Sequence, residues 1–313
     1  MLHRRRWAAA AAWALAAACT PPDRPPSLPD PIPPALVELL EPDTARVLRV
    51  ADGVWYRYLW SARGPWAVHL VEADLGLCRL GLDVSSASDD DAAPGEALGG
   101  GRETVSALAA DHEGEPLVAV NGDFFTPEGL PLGPEATALR TRPGRGRPGI
   151  LFRPGAPGPL IGDVGEESGP TASPRRPGAA SRIVGGFPEL LDRGARVGDL
   201  GVEARPAFAA SRHPRTAVAH DPIRRRLWLV VVDGRQGAYS TGMSLPELAS
   251  LLEALGAREA LNLDGGGSSV MVVRGHAVSR PSDESGERPV ANALLLVDDP
   301  ALCGTSPALT EGG

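Results

Sequence analysis

Residues 261–270 read LNLDGGGSSV, and the fold turns on what that string is. Ala260, Leu261 and Leu263 alternate as on a buried strand, with Asn262 between them and Asp264 at the end. Three glycines and two serines follow, and then a second apolar run over 270–273. Glycine reaches positive φ and lets a ligand or a neighbouring chain approach the backbone. Successive exposed N–H groups in such a turn form an anion-binding nest. A plain hairpin is the ordinary meaning of GG and SG, but it needs only two such residues. The favoured reading is therefore a strand that ends in a site, with Asp264 at its edge and Gly265, Gly266, Gly267 and Ser268 as the seat.

The chain ahead of this string sets it up. Ser244 has the position of an N-cap, with Pro246 and Glu247 in the first helical turn. Leu245, Leu248, Leu251, Leu252 and Leu255 fall on one helical face, and Gly256 closes the helix. The strand 260–263 follows. The same order of helix, turn, strand and Asn-x-Asp occurs earlier, at a separation of about 140 residues. There Val105, Leu108 and Ala109 mark the helix, Gly114 the turn, 117–120 the strand, and Asn121-Gly122-Asp123 its end. This is a weak duplication or a coincidence. If it is a duplication, Asn121 and Asp123 approach Asn262 and Asp264 from a neighbouring strand end. Two carboxylates would then meet, as in acid/base work on glycosides.

A second chemical stretch is 211–219, SRHPRTAVA, where Arg212, His213 and Arg215 crowd a turn that enters a strand. Its hairpin partner is expected over 227–232, ending in Asp233-Gly234-Arg235. Asp-Gly alone is a turn signal, but Arg235 after so apolar a run places a charge at the edge of a buried sheet.

The fold class expected is α+β. It is a single domain with a mixed, mostly antiparallel sheet and two main packed helices. Strands are expected within 35–63, where Trp55, Tyr56, Tyr58 and Trp60 cluster, and over 66–72 and 77–84. The domain is expected over 46–300, followed by a tail over 301–313. Residues 85–101 read as a loop in which Asp89, Asp90 and Asp91 are a solvated charge run. Residues 140–180, rich in Pro, Gly and Arg, read as a long mobile loop. Arg140, Arg142, Arg145 and Arg147 make it basic but are more simply solvent-facing than a binding site.

All 31 basic side chains are arginine, which excludes a lysine base, a Schiff-base lysine and a P-loop lysine. Residues 3–6 are basic and 7–18 apolar, too short to span a bilayer and suited to a signal peptide over 1–19. Cys19 after Leu15-Ala16-Ala17-Ala18 suggests a lipoprotein, although Ala16 makes the lipobox imperfect; the alternative is ordinary cleavage and secretion. Residues 20–34 are proline-rich, and a tether is expected over 20–45. Removal of Arg4, Arg5 and Arg6 takes the net charge from −8 to −11, which argues against nucleic acid as a partner. The only membrane association expected is a lipid on Cys19. In an exported chain Cys78 and Cys303 are free thiols or a disulfide stapling the ends of the folded region. No Cys/His spacing suggests zinc, no EF-hand spacing supports calcium, and no cofactor is expected.

NGDFF (121–125), RHPRTAVA (212–219), VDGR (232–235), ALNLDGGGSS (260–269) and RPVANALL (288–295) occur in an order that resembles the phosphodiester glycosidase family. The resemblance spans roughly 66–298. Asp123 stands where that family often has a second glycine, and Ala219 where a glycine often closes the RTA motif. The resemblance implies cleavage of a sugar–phosphate bond in a glycosyl phosphodiester by an exported hydrolase. Phosphate is a good leaving group, so positive charge matters more than a strong acid. Arg215 and Arg235 are then phosphate forks, and the Gly265–Ser268 backbone holds further phosphate oxygens. Asp264 acts at the anomeric carbon, with Asp233 or Asp123 as its partner. His213 binds phosphate or is a turn residue. Asn121 and Asn262 orient sugar hydroxyls or backbone. The competing reading is a non-catalytic envelope protein that binds or helps assemble phosphorylated polysaccharide. A serine hydrolase is disfavoured, because Val270 occupies the last position of what would be the G-x-S-x-G elbow around Ser268.

Overall fold

The computed structural model describes residues 31–87, 100–139, 141–144, 146–164, 181–198 and 206–303. The expected signal peptide with Cys19, the first part of the expected tether, the Asp89–Asp91 run, Arg140, Arg145, residues 165–180 and the expected tail beyond Cys303 lie outside the described residues.

The chain opens with α1 (Pro34–Leu40), β1 (Thr44–Ala51), β2 (Val54–Ser61), β3 (Trp66–Asp74) and β4 (Leu80–Ser86). Next come α2 (Val105–Ala110), β5 (Val118–Asn121), β6 (Glu135–Ala136), β7 (Thr141–Arg142), β8 (Gly149–Phe152) and β9 (Leu160–Gly162). They are followed by β10 (Arg182–Gly185), β11 (Glu189–Asp192), β12 (Ala195–Arg196) and α3 (Pro206–Ala210). The last elements are β13 (Arg215–Asp221), β14 (Arg226–Val232), α4 (Leu245–Leu255), β15 (Glu259–Asn262), β16 (Met271–Val273), β17 (His276–Ala277) and β18 (Asn292–Asp298).

The strands form three sheets, not one: an eight-stranded sheet in the order β1-β2-β3-β14-β13-β15-β11-β12, and two five-stranded sheets, β7-β6-β10-β8-β9 and β17-β16-β5-β18-β4. Every described pairing is antiparallel, including β13 with β14 (Arg215 opposite Val232) and β13 with β15 (Ala217 opposite Asn262).

The sheets stack because the central strands are apolar on both faces. Val230 and Val232 on β14 and Ala217 and Ala219 on β13 face a core with Leu36 and Leu40 of α1 and the leucine face of α4. The alternate residues Leu229, Val231 and Val218 face a second core shared with Val118 and Val120 of β5, Leu294 and Leu296 of β18, and Ile150 of β8. The far side of β5 and β18 is covered by Val105, Leu108 and Ala109 of α2. The order of layers is thus helix, large sheet, smaller sheets, helix.

Two expectations about boundaries change. The tether expected to reach residue 45 already contains α1, because Leu36 and Leu40 are each 1% exposed and packed with α4. The stretch expected as an irregular loop carries β7, β8 and β9, because Ile150, Leu151 and Phe152 are buried against β10. Cys78 and Cys303 are disulfide-bonded. No helix among the described residues is long and apolar enough to cross a bilayer.

Candidate active site

Antiparallel pairing brings the start of β13, the end of β14 and the end of β15 to one end of the large sheet's central strands. The turns carrying His213, Asp233 and Asp264 therefore gather there. The end of β5 joins them from another sheet. Asp264 N–H donates to Gly122 O at 2.9 Å, and Asn121 Nδ2 donates to Asp264 O at 2.6 Å. Asn121 Oδ1 accepts from Thr216 Oγ1 at 2.7 Å and from Val270 N–H at 3.2 Å. Asn121, fully buried, is thus the knot tying β5, β13 and the glycine turn together. Asn262 has a similar backbone role, its Nδ2 donating to Phe187 O at 2.7 Å and Leu263 O at 2.8 Å.

Asp264 and Asp123 are brought together. Asp123 is 1% exposed, and burial pushes its carboxyl up from 3.8 to about 6, with the charge of Asp264 adding to the rise. Gly133 N–H donates to Asp123 Oδ2, while buried Oδ1 has no hydrogen-bond partner. Cβ atoms on Gly133 or Gly185 would lie 3.0 or 2.8 Å from Oδ2, so glycines cradle the carboxylate. Asp264 is also raised by burial, against the lowering pull of Ser268, Gly265 N–H, Arg288 and Arg147. Gly265 N–H bonds Asp264 Oδ1 at 2.8 Å; Ser268 Oγ, though near enough to act on the charge, closes no hydrogen bond of normal geometry.

Two arginines that the sequence reading left without a role act here. Arg147 lies 5.2 Å from the ring centroids of both Phe124 and Phe187, and its charge opposes the rise at both carboxylates. A Pro-Gly-Arg stretch reads as solvated, and nothing local shows that two distant phenylalanines receive Arg147. Arg288 pairs with Asp283 at 2.8 Å and packs on Gly267. Its signal was its place in the RPVANALL motif. Asn292 of that motif was also unassigned: its Oδ1 accepts from Asp123 N–H at 2.9 Å and its Nδ2 donates to Glu135 Oε1 at 2.6 Å.

The three glycines each admit a neighbour. A Cβ on Gly265 would stand 2.8 Å from Pro214 O, on Gly266 3.0 Å from Arg235 Nη2, and on Gly267 2.3 Å from Arg288 Nη2. Gly266 also has φ +64°. Most of the expected backbone anion seat is engaged internally, and only Gly267 N–H has no acceptor seen among the described residues. The N–H groups of Gly265, Gly266, Ser268 and Ser269 are spent on Asp264 Oδ1, Pro214 O, Gly265 O and Gly266 O, the last two at 3.3 and 3.2 Å. Positive charge comes instead from Arg235 against Gly266, while Gly267 admits the Arg288–Asp283 ion pair, Asp283 Oδ2 standing at the same 2.3 Å as Arg288 Nη2.

The remaining expected residues divide. Arg235 is exposed and lies against Gly266, its Nε and Nη2 each 3.4 Å from His213 Nδ1. His213 is held below its ordinary pKa by burial and by Arg235 and Arg215, which favours the neutral ring. Arg215 is not a free phosphate fork. It is 1% exposed, its Nε donates to Met243 O and its Nη2 to Phe208 O and Ser211 O at 2.8–2.9 Å. Burial also lowers its pKa to about 10. It braces the turn. Asp233, 1% exposed, is engaged by His69, Tyr239 and the Arg280 N–H. Asp123, rather than Asp233, is the carboxylate beside Asp264. Among the described residues no three His, Cys, Asp or Glu side chains are grouped to hold a metal.

Fold and site define a class: a β-rich α+β protein that sets a buried carboxylate, Asp123, beside a partly exposed one, Asp264, with the guanidinium groups of Arg147, Arg235 and Arg288 near the glycine turn. The phosphodiester glycosidase family model matches residues 115–297, which contain both carboxylates and all three arginines. The chain belongs to that family. No curated protein matches it. Among solved structures it is similar to the zebrafish N-acetylglucosamine-1-phosphodiester alpha-N-acetylglucosaminidase catalytic domain auto-inhibited by its pro-peptide. That likeness has a TM-score of 0.60 at 22% identity, covering 81% of this chain and 87% of that one. A hypothetical protein from Synechocystis gives 0.56 at 19% identity, covering 81% of this chain and 63% of the other. A putative exported protein from Burkholderia pseudomallei gives 0.50 at 21%, covering 75% and 74%. These likenesses establish the shared fold.

Proposed function

We propose that this chain is an exported glycoside hydrolase that cleaves glycosyl phosphodiesters between the anomeric carbon and the phosphate oxygen. The observation that carries this reading is the Asp123–Asp264 pair beside Arg147, with Arg235 and Arg288 laid against the adjoining glycines. Asp264, partly open at the rim of the turn, acts at the anomeric carbon as nucleophile or as base toward water. Asp123, lifted to about 6, is the carboxyl able to hold a proton under mildly acidic conditions, and its unpartnered Oδ1 is the oxygen from which to give it. The C1–O bond breaks with its electron pair going to the phosphate oxygen. Water supplies the new sugar hydroxyl, and its remaining proton replaces the one given up. Arg235 and Arg288 neutralise the leaving phosphate as charge-assisted donors, and Arg147 keeps charge balanced on the carboxylates. An envelope or environmental glycan, reached after export and with a lipid on Cys19 as the anchor, fits this chemistry.

The test is release of free sugar and phosphomonoester from a sugar-1-phosphodiester by the purified protein, with Asp264→Asn as control. Full activity in that variant removes Asp264 from the chemistry. Binding across a panel of phosphodiester glycosides without turnover favours the non-catalytic envelope protein.

A further inference from the structure

A buried chain of polar side chains lies behind Arg235 and has no part in the reaction just described. Tyr56 Oη is 2.8 Å from His69 Nδ1, and His69 Nε2 is 3.0 Å from Asp233 Oδ2. Tyr239 O–H donates to the same Oδ2 at 2.9 Å, and Arg280 N–H donates to Oδ1 at 2.9 Å. Tyr56 O–H can donate to Nδ1 while Nε2–H donates to Asp233, which links the tyrosine to the carboxylate through the ring. Burial and the charge of Asp233 both hold the Tyr56 and Tyr239 hydroxyls protonated, as donors.

The three groups that bond the Asp233 carboxylate come from three separate segments, and Tyr56 joins through His69. His69 is on β3 and Tyr56 on β2, Tyr239 lies in the loop after β14, and Arg280 follows β17. That loop, residues 233–242, carries Arg235 at φ +59°, a backbone state that non-glycine residues rarely hold without outside restraint. The restraint is visible: Ser240 Oγ donates to Asp233 O, Gln236 Nε2 to Arg280 O at 2.8 Å, and Trp60 Nε1 to Tyr239 O at 2.8 Å. The Arg280 guanidinium stacks 5.3 Å over the Tyr239 ring. At the end of this scaffold the Arg235 guanidinium rests against Gly266.

We propose that His69 and Tyr239 are positioning residues that act through Asp233 to hold Arg235 over the glycine turn, and so set the affinity for the phosphate-bearing part of the substrate. This rests on the hydrolase reading above. Asp233 then belongs to the scaffold and not to the reacting atoms, and His69, on β3, works from outside the sequence motifs that carry the family resemblance.

The experiment uses Tyr239→Phe and His69→Gln, each alone and combined with Arg235→Ala. Tyr239→Phe deletes one hydroxyl from a half-buried ring, so it guards against a variant that merely fails to fold. Each single change raises KM for a sugar-1-phosphodiester about fivefold with kcat nearly unchanged, the effect of losing roughly one hydrogen bond's worth of positioning. In the Arg235→Ala background the same changes leave KM where Arg235→Ala alone puts it. Backbone amide hydrogen exchange over 233–242 quickens in both single variants while β3, β13 and β15 keep their protection. Effects that add to Arg235→Ala, a fall in kcat at constant KM, or unchanged exchange in the loop would overturn the proposal. If the wild-type protein hydrolyses no glycosyl phosphodiester, the hydrolase reading fails and the exchange measurement decides the positioning role on its own.

Discussion

Asp123 carries the sharpest consequence of a single side chain's surroundings. Its pKa is raised from 3.8 to about 6 in the folded protein, so the native state binds more protons than the unfolded chain between those values. Stability associated with this group is therefore full at low pH and is lost as pH rises through about 6. Asp123→Asn removes that loss. At pH 8 the variant should be about 2–3 kcal/mol more stable than the parent in urea unfolding, with no difference at pH 3.5. The same change should lower kcat by less than the ~10²-fold usual for a general acid, because phosphate leaves readily, and should flatten the alkaline limb of the pH–rate profile. A profile unchanged in shape would remove Asp123 from proton transfer. Gly266→Ala tests the neighbouring contact: at φ +64° and 3.0 Å from Arg235, the new methyl should cost about 1 kcal/mol of stability and raise KM more than it lowers kcat. Asp264 stands out as a candidate in the sequence because strand alternation, carboxylate and glycines are contiguous. Arg147 and His69 do not, since the groups that give them meaning lie far away in sequence.

Among the elements, α4 was readable nearly to the residue. Ser244 and Glu247 form a reciprocal capping box, and Gly256 ends the helix at φ +87°. Ser244→Ala should destabilise the protein by about 1 kcal/mol, measured by thermal or urea unfolding, with KM unchanged. Leu251→Ala, on the face buried against the large sheet, should cost about 3 kcal/mol. A Ser244→Ala protein as stable as the parent would mean that tertiary packing alone holds α4. The strands β7 to β9 were not readable, because their segments are two to four residues long and set among Pro, Gly and Arg, below the length at which alternation can be detected. Helix α1 was hidden similarly by the prolines around it. Its two buried leucines make sense only against α4.

For the molecule as a whole, Cys78 and Cys303 close a loop with a sequence separation of 225 residues that encloses β4 to β18 and leaves α1 and β1 to β3 outside it. In the chain-entropy account such a closure stabilises by about 5 kcal/mol. Cys78→Ser with Cys303→Ser should lower the unfolding midpoint markedly while leaving KM and kcat at 25 °C unaltered, because no site residue touches the bridge. A loss of activity without a loss of stability would contradict this. Strand alternation and helix spacing were enough to give an α+β, mostly antiparallel domain, and the order of the motifs gave the resemblance to the phosphodiester glycosidase family. Asp264, Asp233, Asp123, Arg215 and Arg235 stood out as candidates, without a ranking between Asp233 and Asp123 or between the two arginines. These properties are local, set by periodicity over a few residues and by turns that only glycine permits. The division into three sheets, the choice of Asp123 over Asp233 as the partner of Asp264, the diversion of Arg215 and of most of the turn's N–H groups to internal acceptors, and the arrival of Arg147 and Arg288 were decided by tertiary structure. Each depends on which side chains from distant strands reach the same buried space first, and hydrogen bonds and charges there are assigned by proximity, not by order along the chain.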